Sequence, residues 1–146
     1  MIEAISAKNL DEVLPLIRAY QSFYKVKEVD EQNNKLFFSQ FGENSDKGCL
    51  FAYRKEGQLI AFAIVYFSYS STITAKVAVM NDLFTIEASR GQGVAVALIK
   101  HCANYGQSKG AIRLQWVTAP DNKVAQSVYK ALGAAQSSWE FFSYTG

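Results

Sequence analysis

Two glycines follow an arginine in the segment SRGQGVAVALIK, which spans residues 89–100. The apolar run after them predicts a helix that starts in this segment and continues to about Gln107. The first turn of a helix leaves backbone N–H groups unpaired and carries partial positive charge, so it can bind an anion. Glycine has no Cβ atom and lets a phosphate approach the backbone closely. The stretch from Arg90 to Ala95 therefore predicts a phosphate-binding site.

The charges around this stretch also favour an anionic ligand. No acidic residue lies between Glu87 and Asp121. The basic residues of this interval are Arg90, Lys100, Lys109 and Arg113. A Walker P-loop is excluded because no Gly-Lys-Ser/Thr follows, and a dinucleotide fingerprint fits poorly because Val96 stands where it needs Gly or Ala. A glycine-rich helix start without any ligand remains the alternative.

The elements that must position this stretch follow from the hydrophobic periodicity. The pattern predicts the order β-α-α-β-β-β-α-β-α-β, with a strand–helix–strand crossover across Arg90–Gly110. The predicted strands are MIEAIS, the two arms of CLFAYRKEGQLIAFAIVYFSYS, KVAVMNDLFTI, IRLQWVT and SSWEFFSYT. The predicted helices are NLDEVLPLIRAYQSFYKV, DEQNNKLFFSQF, the segment up to Gln107, and DNKVAQSVYKAL.

Length and composition predict one domain over residues 1–146. Hydrophobic residues make up 49% of the chain and only two residues are proline, so disorder is not expected. A net charge of +2 does not indicate a nucleic-acid partner. The N-terminus lacks a basic segment followed by an apolar block, and no apolar run has the length of a membrane span. We therefore expect a cytoplasmic protein that binds neither nucleic acid nor membrane.

The chain contains two cysteines, Cys49 and Cys102, and a single histidine, His101. These are too few ligands for a typical metal site, so no metal is expected. The pattern favours two reduced, buried thiols. A Cys–His nucleophile is the alternative. His101 and Cys102 point about 100° apart on a helix, but Cys49 could still meet His101 in the fold.

The glycine segment resembles the acetyl-CoA motif of the GNAT superfamily of N-acetyltransferases. That motif is Gln/Arg-x-x-Gly-x-Gly/Ala, and Arg90, Gly93 and Ala95 match it. Ala88 stands where the family usually has a proline. Downstream, LQWVTAPDNKVAQSVYKALGA resembles the next block of the family, at the right separation. The pattern NDLF…WVTAPDN is similar to a bacterial branch that is labelled histone-acetyltransferase-like, a label that says little about the substrate.

The resemblance implies a mixed α/β fold. Its central, mostly antiparallel sheet has six or seven strands and is flanked by about four helices. Acetyl-CoA, the acetyl donor, lies in a V-shaped opening between the fourth and fifth strands. Backbone N–H groups of Gly91, Gln92, Gly93, Val94 and Ala95 would bind its pyrophosphate. Backbone of Leu83, Phe84 and Thr85 would contact pantetheine and the acetyl group. Asn122 would contact CoA near the pantetheine, or would simply cap a helix.

The activity that the resemblance implies is direct acetyl transfer from acetyl-CoA to a primary amine, either a small cationic amine or a peptide or protein amine. Tyr129 matches the tyrosine that serves as the family's general acid. A phenol has a pKa of about 10 and holds its proton at neutral pH. A packed tyrosine with a structural hydrogen bond is the alternative. Asp82 would attract the amine or accept its proton, or else cap or pair with a nearby cation.

Three further expectations concern the acceptor, the rival function and the partners. The acidic residues Glu28, Asp30 and Glu31 favour a cationic acceptor, although a charge run is more often a solvated face. Tyr20, Phe23 and Tyr24 line either the acceptor pocket or the core.

The rival function is a catalytically degenerate module of the same fold that binds acyl-CoA as a sensor. Trp139, Phe141 and Phe142 suit a strand that packs either against a second copy, in a homodimer, or in the chain's own core.

Overall fold

The computed structural model describes residues 1–146. The chain forms five strands and four helices, and a 3₁₀ turn over Glu87–Ser89 precedes the third helix. The strands are β1 (Ile2–Ala4), β2 (Gly48–Lys55), β3 (Gln58–Ser70), β4 (Ala75–Thr85) and β5 (Leu114–Gln115). The helices are α1 (Leu10–Phe23), α2 (Glu31–Phe38), α3 (Val94–Ser108) and α4 (Lys123–Leu132).

The strands form one sheet in the order β1-β2-β3-β4-β5. Neighbouring strands are antiparallel except for β4 and β5, which are parallel and connected through α3. This is the mixed, mostly antiparallel α/β fold that the sequence predicted, with the predicted crossover in place.

Helices cover both faces of the sheet, and successive side chains of a strand point to opposite faces, so each strand contributes to two cores. Along β3, Ala61, Ala63 and Val65 belong to the core on the α3 side, whereas Phe62 and Ile64 belong to the core under α1 and α2. The small residues allow α3 to approach the sheet closely. At Gly106 of α3, an added Cβ would lie 2.8 Å from the Cβ of Ala78 in β4.

The last part of β4 diverges from β5. The two strands pair only at Ala78–Leu114 and Val79–Gln115, although β4 continues to Thr85. The register between β3 and β4 shifts at the same place, so that Asn81 is an extra residue on β4. Such a bulge bends a strand and increases its twist. The V-shaped opening predicted between the fourth and fifth strands therefore begins after Val79.

The prediction of six or seven strands is wrong, because SSWEFFSYT forms no strand. Its aromatic residues are almost fully exposed: Trp139 at 89%, Phe141 at 92% and Phe142 at 88%. The alternating pattern alone does not make a strand, since a strand also needs a free edge of sufficient length. The edge strand β5 offers only two residues. Burial of these aromatic residues in the chain's own core is excluded by the same exposures.

No helix of the structure combines the length and the apolar character that crossing a membrane requires.

Candidate active site

A loop connects β4 to α3, and none of its side chains caps the N-terminus of the helix. Gly91 and Gly93 have φ angles of +76° and +79°, in the left-handed region that glycine adopts without strain. Gly93 is the N-cap of α3 and supplies no capping side chain. As a result, the backbone N–H groups of residues 91–96 donate no hydrogen bond to any acceptor in the chain. Six consecutive free donors at a helix N-terminus suit an anion such as a pyrophosphate.

We call residues 89–96 the donor loop. Gln92 and Val94 of this loop contact residues outside it. Lys55 Nζ, at the end of β2, donates to Gln92 Oε1 at 2.6 Å, which places a positive charge beside the loop. Val94 is buried and anchors the first turn of α3 in the core, while Ala95 is half-buried.

Arg90 is oriented away from the free N–H groups. Its Nε donates to the backbone oxygen of Thr85 at 3.0 Å. Its guanidinium carbon lies 5.7 Å from the ring centroid of Phe23 and 5.8 Å from that of Phe84. Arg90 therefore fastens the donor loop to the end of β4 and to α1, a role that the motif did not predict.

The three residues predicted to contact pantetheine through their backbone are not equivalent. The N–H of Ile86 donates to the carbonyl of Ile60, so these two residues form a hydrogen-bonded pair of the antiparallel ladder. Because such pairs alternate, the backbone of Phe84 faces Phe62 on β3, and the backbone groups of Leu83 and Thr85 point to the open side. The Thr85 carbonyl already accepts from Arg90. On the open side, the N–H and the carbonyl of Leu83 and the N–H of Thr85 therefore stay free.

Tyr129 lies on α4 at the far side of the opening. Its ring packs edge-on against Trp116, with 5.2 Å between the ring centroids. Burial raises the pKa of Tyr129, and the nearby Tyr24, the residue that follows α1, adds to this effect. Tyr129 therefore keeps its proton at neutral pH. Asn122 caps α4, since its Oδ1 accepts from the N–H of Ala125 at 3.2 Å, and Asp121 does not.

Asp82 is half-buried beside the bulge of β4 and forms no ion pair with Lys or Arg. The hydroxyl of Tyr20 donates to its Oδ1. The side-chain amide of Asn81 donates to the same oxygen at 3.3 Å. Oδ2 accepts no hydrogen bond from the chain. Asp82 therefore neither caps a helix nor pairs with a cation, which are the two structural alternatives that the sequence left open.

Five aromatic rings lie between Asp82 and the donor loop, and we call them the aromatic cluster: Tyr20, Phe23, Tyr24, Phe62 and Phe84. Tyr20 is central, with its ring centroid 4.8 Å from Tyr24, 5.7 Å from Phe62 and 5.8 Å from Phe84. Phe23 and Tyr24 are exposed, so the cluster is open to ligands as well as packed on the core. The cluster contacts Asp82 through the Tyr20 hydroxyl, and its exposed member Tyr24 lies near enough to Tyr129 to raise the pKa of that phenol.

The Cys–His alternative has no support in the structure. Cys49 and Cys102 are fully buried, and burial raises the pKa of each thiol to about 12. A thiol in that state provides almost no thiolate at neutral pH. His101 packs edge-on against Phe51, with ring centroids 4.6 Å apart.

The acidic residues after α1 serve largely structural purposes. Asp30 caps α2 by accepting from the N–H of Asn33 at 3.0 Å, and Glu31 pairs with Arg18. Glu28 lies on the exposed loop between them and α1. The sequence pointed to this cluster for the acceptor and missed the contact between Tyr20 and Asp82. No local signal could have indicated that contact, because the two residues are 62 positions apart.

Residues 13–134 match the model of the acetyltransferase (GNAT) family. The chain therefore belongs to the GNAT family, and by class it is an acetyltransferase enzyme.

Its similarity to individual proteins extends over most of their lengths. It is 29% identical over 121 residues to YhfO of Bacillus subtilis (strain 168), an uncharacterized N-acetyltransferase, covering 83% of this chain and 80% of YhfO. It is 29% identical over 147 residues to the thialysine N-epsilon-acetyltransferase of Mus musculus, covering 92% of this chain and 86% of that protein. The fold also matches that of the aminoglycoside N-acetyltransferase AAC(6')-Iy, which was solved with a CoA bisubstrate analogue. The TM-score is 0.83 and the sequence identity is 21%, and the match covers 100% of this chain and 97% of that one. At this identity the match shows the fold alone.

Proposed function

We propose that the protein transfers the acetyl group of acetyl-CoA directly to the primary amine of a small, cationic acceptor. The observation that supports the proposal is that Asp82 lies on the part of β4 that diverges from β5, with the donor loop after β4 and Tyr129 on the helix after β5. The relatives support the reaction class, since both curated relatives are named as N-acetyltransferases. The rest of the proposal depends on what each group of residues can do.

The donor loop binds the pyrophosphate of the donor. Its six free N–H groups and the partial positive charge of the α3 N-terminus compensate the phosphate charges, and Lys55 adds a full positive charge nearby. The free backbone edge of β4 at Leu83 hydrogen-bonds the pantetheine as an added strand would. Because these contacts use backbone, the donor site depends on the conformation of the loop more than on its side chains.

Asp82 serves the acceptor. A half-buried carboxylate without a cationic partner attracts an ammonium group, and its free Oδ2 accepts a proton from the amine, directly or through water. The neutral nitrogen then attacks the thioester carbonyl carbon, a C–N bond forms, and the C–S bond breaks. The nitrogen loses its second proton to water as the amide forms, and Tyr129, which gives its proton to the thiolate, regains one from water. The exposed rings of Phe23 and Tyr24 offer faces that suit an alkylammonium group.

Tyr129 supplies the proton that the departing thiolate needs. Transfer from an ordinary phenol of pKa about 10 to the thiolate of a thiol of pKa about 8.5 costs about 2 kcal/mol at equilibrium, and the raised pKa of Tyr129 increases this cost. A positioned general acid typically gains about 10²–10⁴-fold in rate. Burial keeps the phenol protonated throughout the neutral range.

Two measurements test the proposal in sequence. Isothermal titration with CoA measures donor binding, and we expect a dissociation constant in the micromolar range. A thiol-release assay with acetyl-CoA then compares thialysine, an aminoglycoside, a peptide N-terminus and a neutral primary amine of similar size. Turnover that is fastest with the cationic small amines supports the proposal. CoA binding without thiol release from any amine would instead favour the acyl-CoA sensor.

A further inference from the structure

We propose that Tyr20 is a positioning residue that holds the carboxylate of Asp82 by its Oδ1 and leaves Oδ2 as the oxygen that receives the acceptor amine. The inference rests on the proposed function, in which Asp82 serves the acceptor. It adds a residue from α1 to a site whose other proposed residues lie on β4, α3 and α4.

The contact is fixed by packing on three sides of the Tyr20 ring. Phe62 and Phe84 meet it edge-on at 5.7 and 5.8 Å, and Tyr24, the residue that follows α1, lies 4.8 Å away. Phe62 is fully buried, so this side of the Tyr20 ring packs against the core. A phenol held in this way presents its hydroxyl in one direction, and that hydroxyl donates to Asp82 Oδ1.

The groups around Asp82 explain why its hydrogen-bond donor is a neutral hydroxyl and not a cation. The titratable groups that face it are Tyr20 from α1 and Tyr66 from β3, while Asn81 on β4 is a neutral neighbour. The cation closest along the cluster, Arg90, is engaged with Thr85 and two aromatic rings. Burial, and then the Asp82 carboxylate, raise the pKa of both tyrosines, so both keep their protons.

A neutral hydrogen bond positions a carboxylate without cancelling its charge. A Lys or Arg in place of Tyr20 would pair with Asp82 and remove its attraction for an ammonium group. The phenol occupies one oxygen and leaves the full negative charge available at the other. The pair therefore selects a cationic acceptor, and it does so without the acidic residues that follow α1.

The test is a double-mutant cycle of Tyr20→Phe and Asp82→Asn, with Tyr66→Phe as the matched control. Tyr66→Phe removes a hydroxyl of the same kind on a neighbouring strand that makes no hydrogen bond to Asp82. With thialysine as acceptor, we expect Tyr20→Phe to lower kcat/KM by roughly 10–100-fold, because a hydrogen bond to a charged group is lost. The loss should be smaller with a neutral primary amine of similar size, because a neutral acceptor does not depend on the attraction of the Asp82 carboxylate. Tyr66→Phe should leave kcat/KM unchanged with both acceptors.

The cycle separates positioning from general structure. If Tyr20 acts through Asp82, then Tyr20→Phe should change kcat/KM by less than about threefold in the Asp82→Asn background, because the two effects are not additive. Additive losses, or equal losses of Tyr20→Phe with the cationic and the neutral amine, would overturn the proposal. Affinity for CoA should remain that of the wild type in every variant that is folded by circular dichroism.

A readout that needs no turnover distinguishes this proposal from the proposed function. Carbon NMR of labelled aspartate at one neutral pH reports the surroundings of the Asp82 carboxyl carbon directly, with Asp82→Asn to assign the signal. We expect the Asp82 signal to move in Tyr20→Phe and to keep its wild-type position in Tyr66→Phe, because of these two hydroxyls only that of Tyr20 donates to this carboxylate. A wild-type protein that acetylates no amine would contradict the proposed function alone. An unchanged Asp82 signal in Tyr20→Phe would contradict the role of Tyr20 whether or not the enzyme turns over.

Discussion

The donor loop and the acceptor side of the site are built in opposite ways. The donor loop is one continuous stretch, residues 89–96, and it offers backbone N–H groups. The acceptor side joins side chains from α1 and β4 that are 62 residues apart and that meet only through packing. We infer that the donor side is sensitive to backbone conformation, and the acceptor side to single side-chain atoms. Arg90 belongs to the donor loop and contacts Phe23 and Phe84 of the aromatic cluster, so it connects the two sides.

The largest effect is expected from Tyr129→Phe. The change removes one hydroxyl and keeps the ring that packs on Trp116. If the hydroxyl protonates the thiolate, kcat should fall by about 10²–10⁴-fold. The affinity for CoA, measured by isothermal titration, should stay within about twofold, because the donor loop binds through backbone. A folded variant with near-normal kcat would remove Tyr129 from the mechanism, and water or another donor would have to replace it.

Gly93→Val should affect binding instead of chemistry. No atom lies within 4 Å of a Cβ placed on Gly93, so the cost arises from its φ of +79° and from crowding of the bound phosphate. A left-handed conformation costs a non-glycine residue on the order of 1–3 kcal/mol. We therefore expect the dissociation constant for CoA to rise by roughly 10–100-fold, with a smaller change in kcat at saturating donor.

Gly57→Val provides the control for this substitution. Gly57 lies in the turn between β2 and β3, has a φ of +81°, and likewise has open space around its added Cβ. It should lose a comparable amount of stability in urea denaturation without any loss of CoA affinity. Equal effects of the two variants on CoA binding would show that strain alone, not the position of Gly93, weakens the donor site.

The pH dependence of kcat should distinguish the two sides as well. Burial raises the pKa of Tyr129 above its ordinary value of 10, so the proton donor is present at all lower pH values. With acceptor and donor saturating, kcat should change by less than about twofold between pH 8 and 10 and should decline only at higher pH. Stopped-flow measurements over this range check the expectation. A decline centred near pH 8 would mean that a group other than Tyr129 supplies the proton.

The same contrast explains what the sequence could predict. The glycines, the free helix start, and the strand before them are local features, and the structure contains the predicted crossover and opening. The hydrogen bond between Tyr20 and Asp82 depends on how α1 lies across the sheet, which no local pattern encodes. SSWEFFSYT failed as a strand for a related reason, because pairing depends on the length of the edge that β5 offers. A homodimer through Trp139, Phe141 and Phe142 stays a prediction.

The smallest effect is expected from Gln92→Ala, which tests whether the donor loop acts through its backbone. Gln92 lies between the two glycines, is exposed, and has one side-chain contact, with Lys55 Nζ. An exposed contact of this kind contributes at most about 1 kcal/mol. The substitution keeps all six free N–H groups, so the dissociation constant for CoA should change by less than about threefold in isothermal titration. Gln92→Pro removes one of these donors and fixes φ near −65°, and it should weaken CoA binding by clearly more than Gln92→Ala. If alanine and proline weakened binding equally, the side chain of Gln92 would be a true ligand contact, and the division between a backbone donor side and a side-chain acceptor side would fail at this residue.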